Sequence, residues 1–520
     1  MKELAQGLLA FVAAVGVAVA AWAGEAHYEF RQRLAMVQHE PGLRKPRVGF
    51  LPIATKRFRN IGAGTARGTY AERKAKETAR MVSDLEAAGY EVVTTGIVWD
   101  RDAAGVRQAI DSFVSSRVDC VLETLLSWGE DYAHIRFLRD MPPCPVLFAQ
   151  RTADEIGLKD THDEDEFTAY LGHGTLVGSL QASGSNADYD RPMFRTSLGT
   201  WKETLARFAS FANAARARSI LRESRIGLLA NFNELMWSTY VNPRDVFRKV
   251  GPEVRFLSVM ELTDSIAAVT EDEARRMRDA IAAKYELVPG GDDAKFLASV
   301  RATIGMERLA AKKGIDLLVL NDADPVLLEK VGLRPGFWPT PECPKNLVVT
   351  PEGDVGAGIA TFALRLLADG GCVNFIEPFH IDGPEDNFAA GHAGPNDYTH
   401  PRGRTKISRD VRLAKTKYRY AGAPFAWHVF APGEKTMLHC WQAPSGDFRF
   451  SSARVECLPT EHFLATYSHG LFRAKDMTNS ELFAEILEEG GTQHFAIADG
   501  DLRDAVEDLA FLLDFESTRR

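Results

Sequence analysis

The sequence predicts an α/β chain in which two successive domains, each built from β-α-β units around a parallel sheet, precede a β-rich, barrel-like C-terminal domain. Three observations predict it. From Arg47 onward, apolar runs alternate with amphipathic helical stretches, the pattern of parallel strands joined by crossover helices. At 520 residues the chain is too long for one hydrophobic core. In the last third the alternation gives way to short runs separated by Pro-Gly and Ser-Gly turns, which point to antiparallel hairpins in an open sheet or barrel.

The first α/β domain is expected at 46–168, with strands at 48–53, 91–98, 118–126 and 145–150 and helices at 70–88 and 103–115. The polar run "THDEDE" at 161–166 closes it. The second, at 169–342, repeats the pattern with a long helix at 201–221, strands "RIGLLANF" and "EVRFLSVMEL", a helix at 271–285 and a strand in "GIDLLVLNDAD". The third, at 343–520, opens on an apolar run and a helix at 356–367. It continues through "KYRYAG", "FAWHVF", "APGEKTMLHCW" and "APSGDFRFSS" as hairpin strands and ends in a helix at 501–513.

With 62 basic and 71 acidic side chains the net charge is −9, and neither sign is gathered into a long run. That excludes a nucleic-acid groove and a polybasic membrane surface from the expected functions. The six cysteines are scattered without a C-x-x-C pair, so they read as small buried apolar residues in a reducing compartment. Residues 1–45 form a leader or poorly defined segment: its apolar run at 8–21 and Ala21-Trp22-Ala23 fit a signal peptide, while Met36 offers an alternative start. The run is too short for a membrane span.

Three stretches carry candidate chemistry. The loop "RNIGAGTARGTYAERK", with Gly62, Gly64 and Gly68 between a strand and a helix, reads either as a phosphate cradle or as an ordinary flexible loop. His173 lies between two glycines in "LGHGTLVGSL", where a side chain can project into a cleft. In the third domain Glu352 opens the 356–367 helix, Glu377 ends the apolar strand of "CVNFIEPFHID", and His392 follows between glycines. Spaced 25 and 15 residues apart at strand ends, these three can converge on one divalent cation, with imidazole favouring Mn²⁺ over Ca²⁺. The bland alternative makes Glu352 a helix cap, but it leaves Glu377 without a reason to sit in an apolar strand.

The run "EGDVGAGIATFALRLLADGGCVNFIEPFHID", the following "GHAG" and the closing "GGTQHFAIADGDLRDAVEDLAFLLDFE" resemble the metal-binding segments of the L-fucose and L-arabinose isomerase family. The resemblance implies two Rossmann- or flavodoxin-like domains before the β-rich one, and adds His494 to Glu352, Glu377 and His392 as a Mn²⁺ ligand. It further implies a cytoplasmic homo-oligomer, a trimer or hexamer, that interconverts an aldose and a ketose of pentose or 6-deoxyhexose type through an enediolate. Glu352 and Glu377 would be the acid/base pair, Asp354 would cap the helix or support the ligands, and His173 and Trp201 would contact the sugar. "NFIEPFHID" departs from both named enzymes, which points to a divergent member. Two alternatives stand beside this: a periplasmic-type sugar-binding protein, given the possible leader and two α/β lobes, or another metal-assisted enolisation on the same fold.

Overall fold

The alternation of apolar runs and amphipathic helices builds two parallel sheets, and the turn-rich last third closes into an antiparallel barrel. The computed structural model describes residues 43–153, 162–332, 336–344, 346–399, 405–412, 414–418 and 421–520, all within one compact unit. The expected leader lies almost wholly outside the described residues.

The first sheet comprises β1 (Arg47–Ala54), β2 (Glu91–Val93), β3 (Val98–Trp99), β4 (Cys120–Leu125), β5 (Val146–Arg151) and β6 (Phe194–Gly199). Its order is β2-β1-β4-β5-β6, all parallel, with β3 also paired to β1. Strands β1, β4 and β5 are buried along almost their whole length, which is why they read as unbroken apolar runs. Two expectations change here. The strand expected at 91–98 is split, because Gly96 adopts φ +79° and its N–H donates to Thr94 Oγ1. The sheet also takes β6 from beyond residue 168, and the acidic stretch read as a domain end enters the helix Glu164–His173.

The second sheet orders β8 (Glu253–Leu257), β7 (Arg225–Leu229), β10 (Leu317–Leu320) and β11 (Val348–Thr350), again all parallel. "EVRFLSVMEL" is half strand: Ser258 accepts the Glu261 N–H in a capping box and starts the helix Val259–Ala267. The short strand β9 (Glu286–Leu287) leaves this region to pair with β14 (Thr405–Arg409), which also pairs with β15 (Pro424–His428).

The barrel runs β16 (Gly433–Gln442), β19 (Phe495–Asp499), β12 (Val373–Asp382), β13 (Asn387–His392), β18 (Ser468–Ala474), β17 (Phe448–Leu458) and back to β16, with β20 (Glu516–Arg519) added to β17. Ile376, Phe388, Val455, Phe472, Phe495 and Ile497 belong to its core, joined by Leu482 and Ile486 of the helix Asn479–Glu488. The helix Val355–Leu367 contacts β10 and β11 of the second sheet as well as β12, β16 and β19 of the barrel, so nearly every residue in it is buried. Gly356 is needed for that approach: a Cβ there would stand 2.6 Å from the Cys440 carbonyl oxygen. All six cysteines are free thiols, four of them buried. Among the described residues no helix is long and apolar enough to cross a membrane.

Glu307 is the carboxyl most clearly out of place in the α/β core. It is buried and accepts hydrogen bonds from the Thr340 N–H at 2.8 Å and the Thr340 hydroxyl at 2.5 Å. Burial raises its pKa from 4.5 to about 7, against the pull of those bonds. A carboxyl with a raised folded-state pKa stabilises the fold fully below its unfolded pKa, and that contribution is lost as pH rises through the folded value. Stability is therefore expected to fall by roughly 3 kcal/mol between about pH 4.5 and pH 7 through this group alone. Thermal melts of wild type and Glu307→Gln across that range check it: the variant's profile should be flatter, and parallel profiles would refute the assignment.

Candidate metal centre

The stretch after β11 is bent in a way that few residues tolerate. Glu352 has φ +65° and Gly353 φ +71°, a left-handed pair. For glutamate this conformation costs about 1–2 kcal/mol and persists only where the surroundings impose it. Two hydrogen bonds do so: the Glu352 N–H donates to Asp322 Oδ1 at 2.9 Å, and the Gly353 N–H donates to the Leu320 carbonyl at 3.2 Å. Asp322 is fully buried just beyond β10, so the C-terminal end of the second sheet sets the turn.

Capping the following helix falls to Asp354, not to Glu352. Asp354 Oδ1 accepts the Ala357 N–H at 2.9 Å, which satisfies one of the helix's orphan donors. Its other oxygen, Oδ2, accepts from His494 Nδ1 at 2.9 Å. The bland reading of Glu352 as a cap is thereby answered, and its carboxylate faces two imidazoles instead. Oε1 lies 3.5 Å from His392 Nε2, and Oε2 lies 3.5 Å from His494 Nε2.

These three side chains form the one group of potential metal ligands found among the described residues, with donor atoms all within 4.8 Å of one another. His392 ends β13 and His494 immediately precedes β19, so two barrel strands and the second sheet meet at this point. Both rings are buried, yet neither nitrogen of His392 nor Nε2 of His494 has a hydrogen-bond partner. Buried ring nitrogens without partners are costly in a native fold, and a cation beside Glu352 would take up one nitrogen of each ring. Donors held by one first-row cation at about 2.1 Å stand about 3.0–3.4 Å apart; each Nε2 lies 3.5 Å from a Glu352 oxygen, and the group would draw together from within 4.8 Å around an ion. The donor set of two imidazoles and a carboxylate suits a divalent transition ion.

The supporting residues fit the same ion. Asp354 accepts the Nδ1 proton of His494, which makes Nε2 the nitrogen turned toward Glu352, the carboxylate–histidine arrangement typical of metal sites. Burial opposes charge on the His494 ring, but the Asp354 hydrogen bond and the nearby Asp354 and Glu352 carboxylates outweigh it and lift the pKa to about 9, so a cation taking Nε2 would displace a proton. Phe375 packs against both histidines, with ring centroids 4.8 Å from His392 and 4.6 Å from His494, and walls the centre with apolar surface.

Glu377 is not within the close group, which corrects its expected place as a ligand equal to the other three. It stands beside them. Ile376 pairs with Phe495 in the antiparallel ladder of β12 and β19, so Glu377 and His494 face each other one step beyond. Glu377 is half-buried at this edge of the barrel.

Trp201 has a different partner from the one expected: its indole N–H donates to Asp84 Oδ2 at 2.8 Å, at the start of the helix Trp201–Glu223. His173 ends the helix Glu164–His173, and its side chain lies outside the described residues. The Gly62, Gly64 and Gly68 loop adopts left-handed φ at all three glycines, as a tight strand-to-helix turn requires. Sequence reasoning missed Asp322 and His439. Asp322 lay in the acidic end of "NDAD", and His439 was masked as one polar residue in the alternating "TMLHCW". No protein-family description matches the chain, and no curated protein is significantly similar to it.

Proposed function

We propose that the protein is a metal-dependent aldose-ketose isomerase, a divergent relative of the L-fucose and L-arabinose isomerases, acting on a pentose or 6-deoxyhexose. The observation that carries this is the pair of buried imidazoles, His392 and His494, whose Nε2 atoms each lie 3.5 Å from the Glu352 carboxylate. A divalent cation such as Mn²⁺, when bound, supplies polarisation of two adjacent sugar oxygens during the shift of the carbonyl. Glu352, His392 and His494 would hold it. The protein's own part is to move a proton between C1 and C2 by way of an enediolate, and Glu352 and Glu377 are the carboxylates assigned to that work. Phe375 keeps one side of the centre dry, which strengthens every charge interaction there.

The strand orders of the two parallel sheets accord with Rossmann- or flavodoxin-like domains, and the reading includes a homo-oligomer, a trimer or hexamer. A purely binding, two-lobed protein would have no use for a third, closed sheet that contributes two of the three ligands. The test is elemental analysis of the purified protein together with a screen of aldopentoses and 6-deoxyhexoses with and without Mn²⁺. Aldose-to-ketose conversion that depends on the ion is expected. Sugar binding by metal-free protein with no conversion under any condition would replace the isomerase with a binding protein.

A further inference from the structure

His439 sits within β16 with its side chain wholly buried. Its ring is stacked on Trp441, centroids 4.8 Å apart at 18°, and lies against Phe495 at 4.9 Å. A phenylalanine would fill this space equally well, and a buried imidazole is costly unless both nitrogens are satisfied. They are satisfied by one short segment. Nε2 accepts the Thr492 N–H at 2.9 Å, and Nδ1 donates to the His494 carbonyl oxygen at 2.7 Å. Because an amide N–H only donates and a carbonyl only accepts, these partners fix the ring as the neutral Nδ1–H form. The segment at 490–494 is laid against the ring: a Cβ on Gly491 would come within 3.4 Å of His439 Cδ2.

We propose that His439 is a positioning residue of the metal centre, clamping the main chain that carries His494 while Asp354 orients the His494 ring. This rests on the reading of Glu352, His392 and His494 as a cation site. The two clamps act on different parts of one residue. Asp354 fixes which nitrogen faces Glu352, and His439 fixes where the backbone, and hence that nitrogen, stands relative to Glu352. Ligand supports of this kind are worth about ten- to a hundredfold in metal affinity.

The test compares wild type, His439→Phe and His439→Gln by Mn²⁺ titration calorimetry on the full chain, with amide hydrogen exchange on the metal-free proteins. His439→Phe keeps the stack and deletes both hydrogen bonds, so Mn²⁺ affinity is expected to fall at least about tenfold and the Thr492 amide to exchange faster. His439→Gln restores one donor and one acceptor on a side-chain amide and is expected to recover most of the affinity. A folded His439→Phe variant that binds Mn²⁺ as tightly as wild type overturns the clamp alone. No cation binding by wild type overturns the clamp together with the reading beneath it. Should His439→Phe fail to fold, a wild-type Thr492 amide that exchanges as fast as an exposed one overturns the clamp without the variant.

Discussion

Glu352→Gln is expected to weaken Mn²⁺ binding by on the order of a hundredfold or more and to abolish isomerisation. Glutamine preserves the size of the side chain but removes the one anionic donor of the close group, leaving two neutral imidazoles to hold a dication. The measurement is twofold: titration calorimetry for the ion, and the Mn²⁺-dependent rise in melting temperature, which should disappear. A ligand present at a hundred times its dissociation constant stabilises by about 2.7 kcal/mol, so the lost shift is readable. Asp354→Asn serves as the graded control. Its amide can still cap the helix but no longer offers His494 a charged acceptor, and affinity should fall by a smaller factor, about ten- to a hundredfold. Undiminished Mn²⁺ binding in Glu352→Gln would remove the centre from the proposed chemistry.

Asp508→Ala should be the most damaging change away from the centre. Asp508 is 1% exposed and accepts from Arg195 Nη1 at 2.6 Å, from both terminal nitrogens of Arg207 at 2.6 Å, and from Ser210 Oγ at 2.8 Å. It sits on the helix Arg503–Leu513, whereas its partners belong to β6 and the helix Trp201–Glu223. Removing the carboxylate strands two guanidinium groups beside each other in a half-dry pocket. Breaking a buried charge cluster in this way typically costs 3–5 kcal/mol, and since both arginines are about one-third exposed, about 3 kcal/mol is expected. Urea denaturation followed by tryptophan fluorescence measures it. Asp508→Asn keeps the shape and one acceptor oxygen but not the charge, so a loss close to that of Asp508→Ala is expected; little loss in Asp508→Asn would show that packing, not charge, dominates.

Much of this architecture was legible in the chain because the strands at its centre are apolar on both faces. Runs such as "VDCVLETLL" and "RIGLLANF" could hardly be anything but buried strands between helices. Errors gathered where a single residue decides the local conformation. Ser258 converts half of an apolar run into a helix, and Gly96 breaks a strand in two. Glu352 and His392 were visible as unusual polar residues near strand ends and His494 only through the family resemblance, and the structure brings the donor atoms of all three together. The division of labour between Glu352 and Asp354 was not, because both carboxylates precede the same helix. Only the left-handed turn held by Asp322 shows which one points away from it. His439 was beyond reach, since a lone histidine in an alternating strand gives no hint that its partners lie in a turn 53 and 55 residues away.

The helix Val355–Leu367 leaves the chain without interchangeable parts. It is wedged between the second sheet and the barrel, and the turn at its head carries Glu352 while its cap, Asp354, grips His494. A junction placed near residue 342 would look natural to anyone recombining this chain with a relative, since it separates two kinds of sheet. Such a hybrid would have to match a foreign sheet to both a helix surface fitted to within a single carbonyl and a ligand geometry set from the other side. Inheritance of the centre is therefore all or nothing across that boundary.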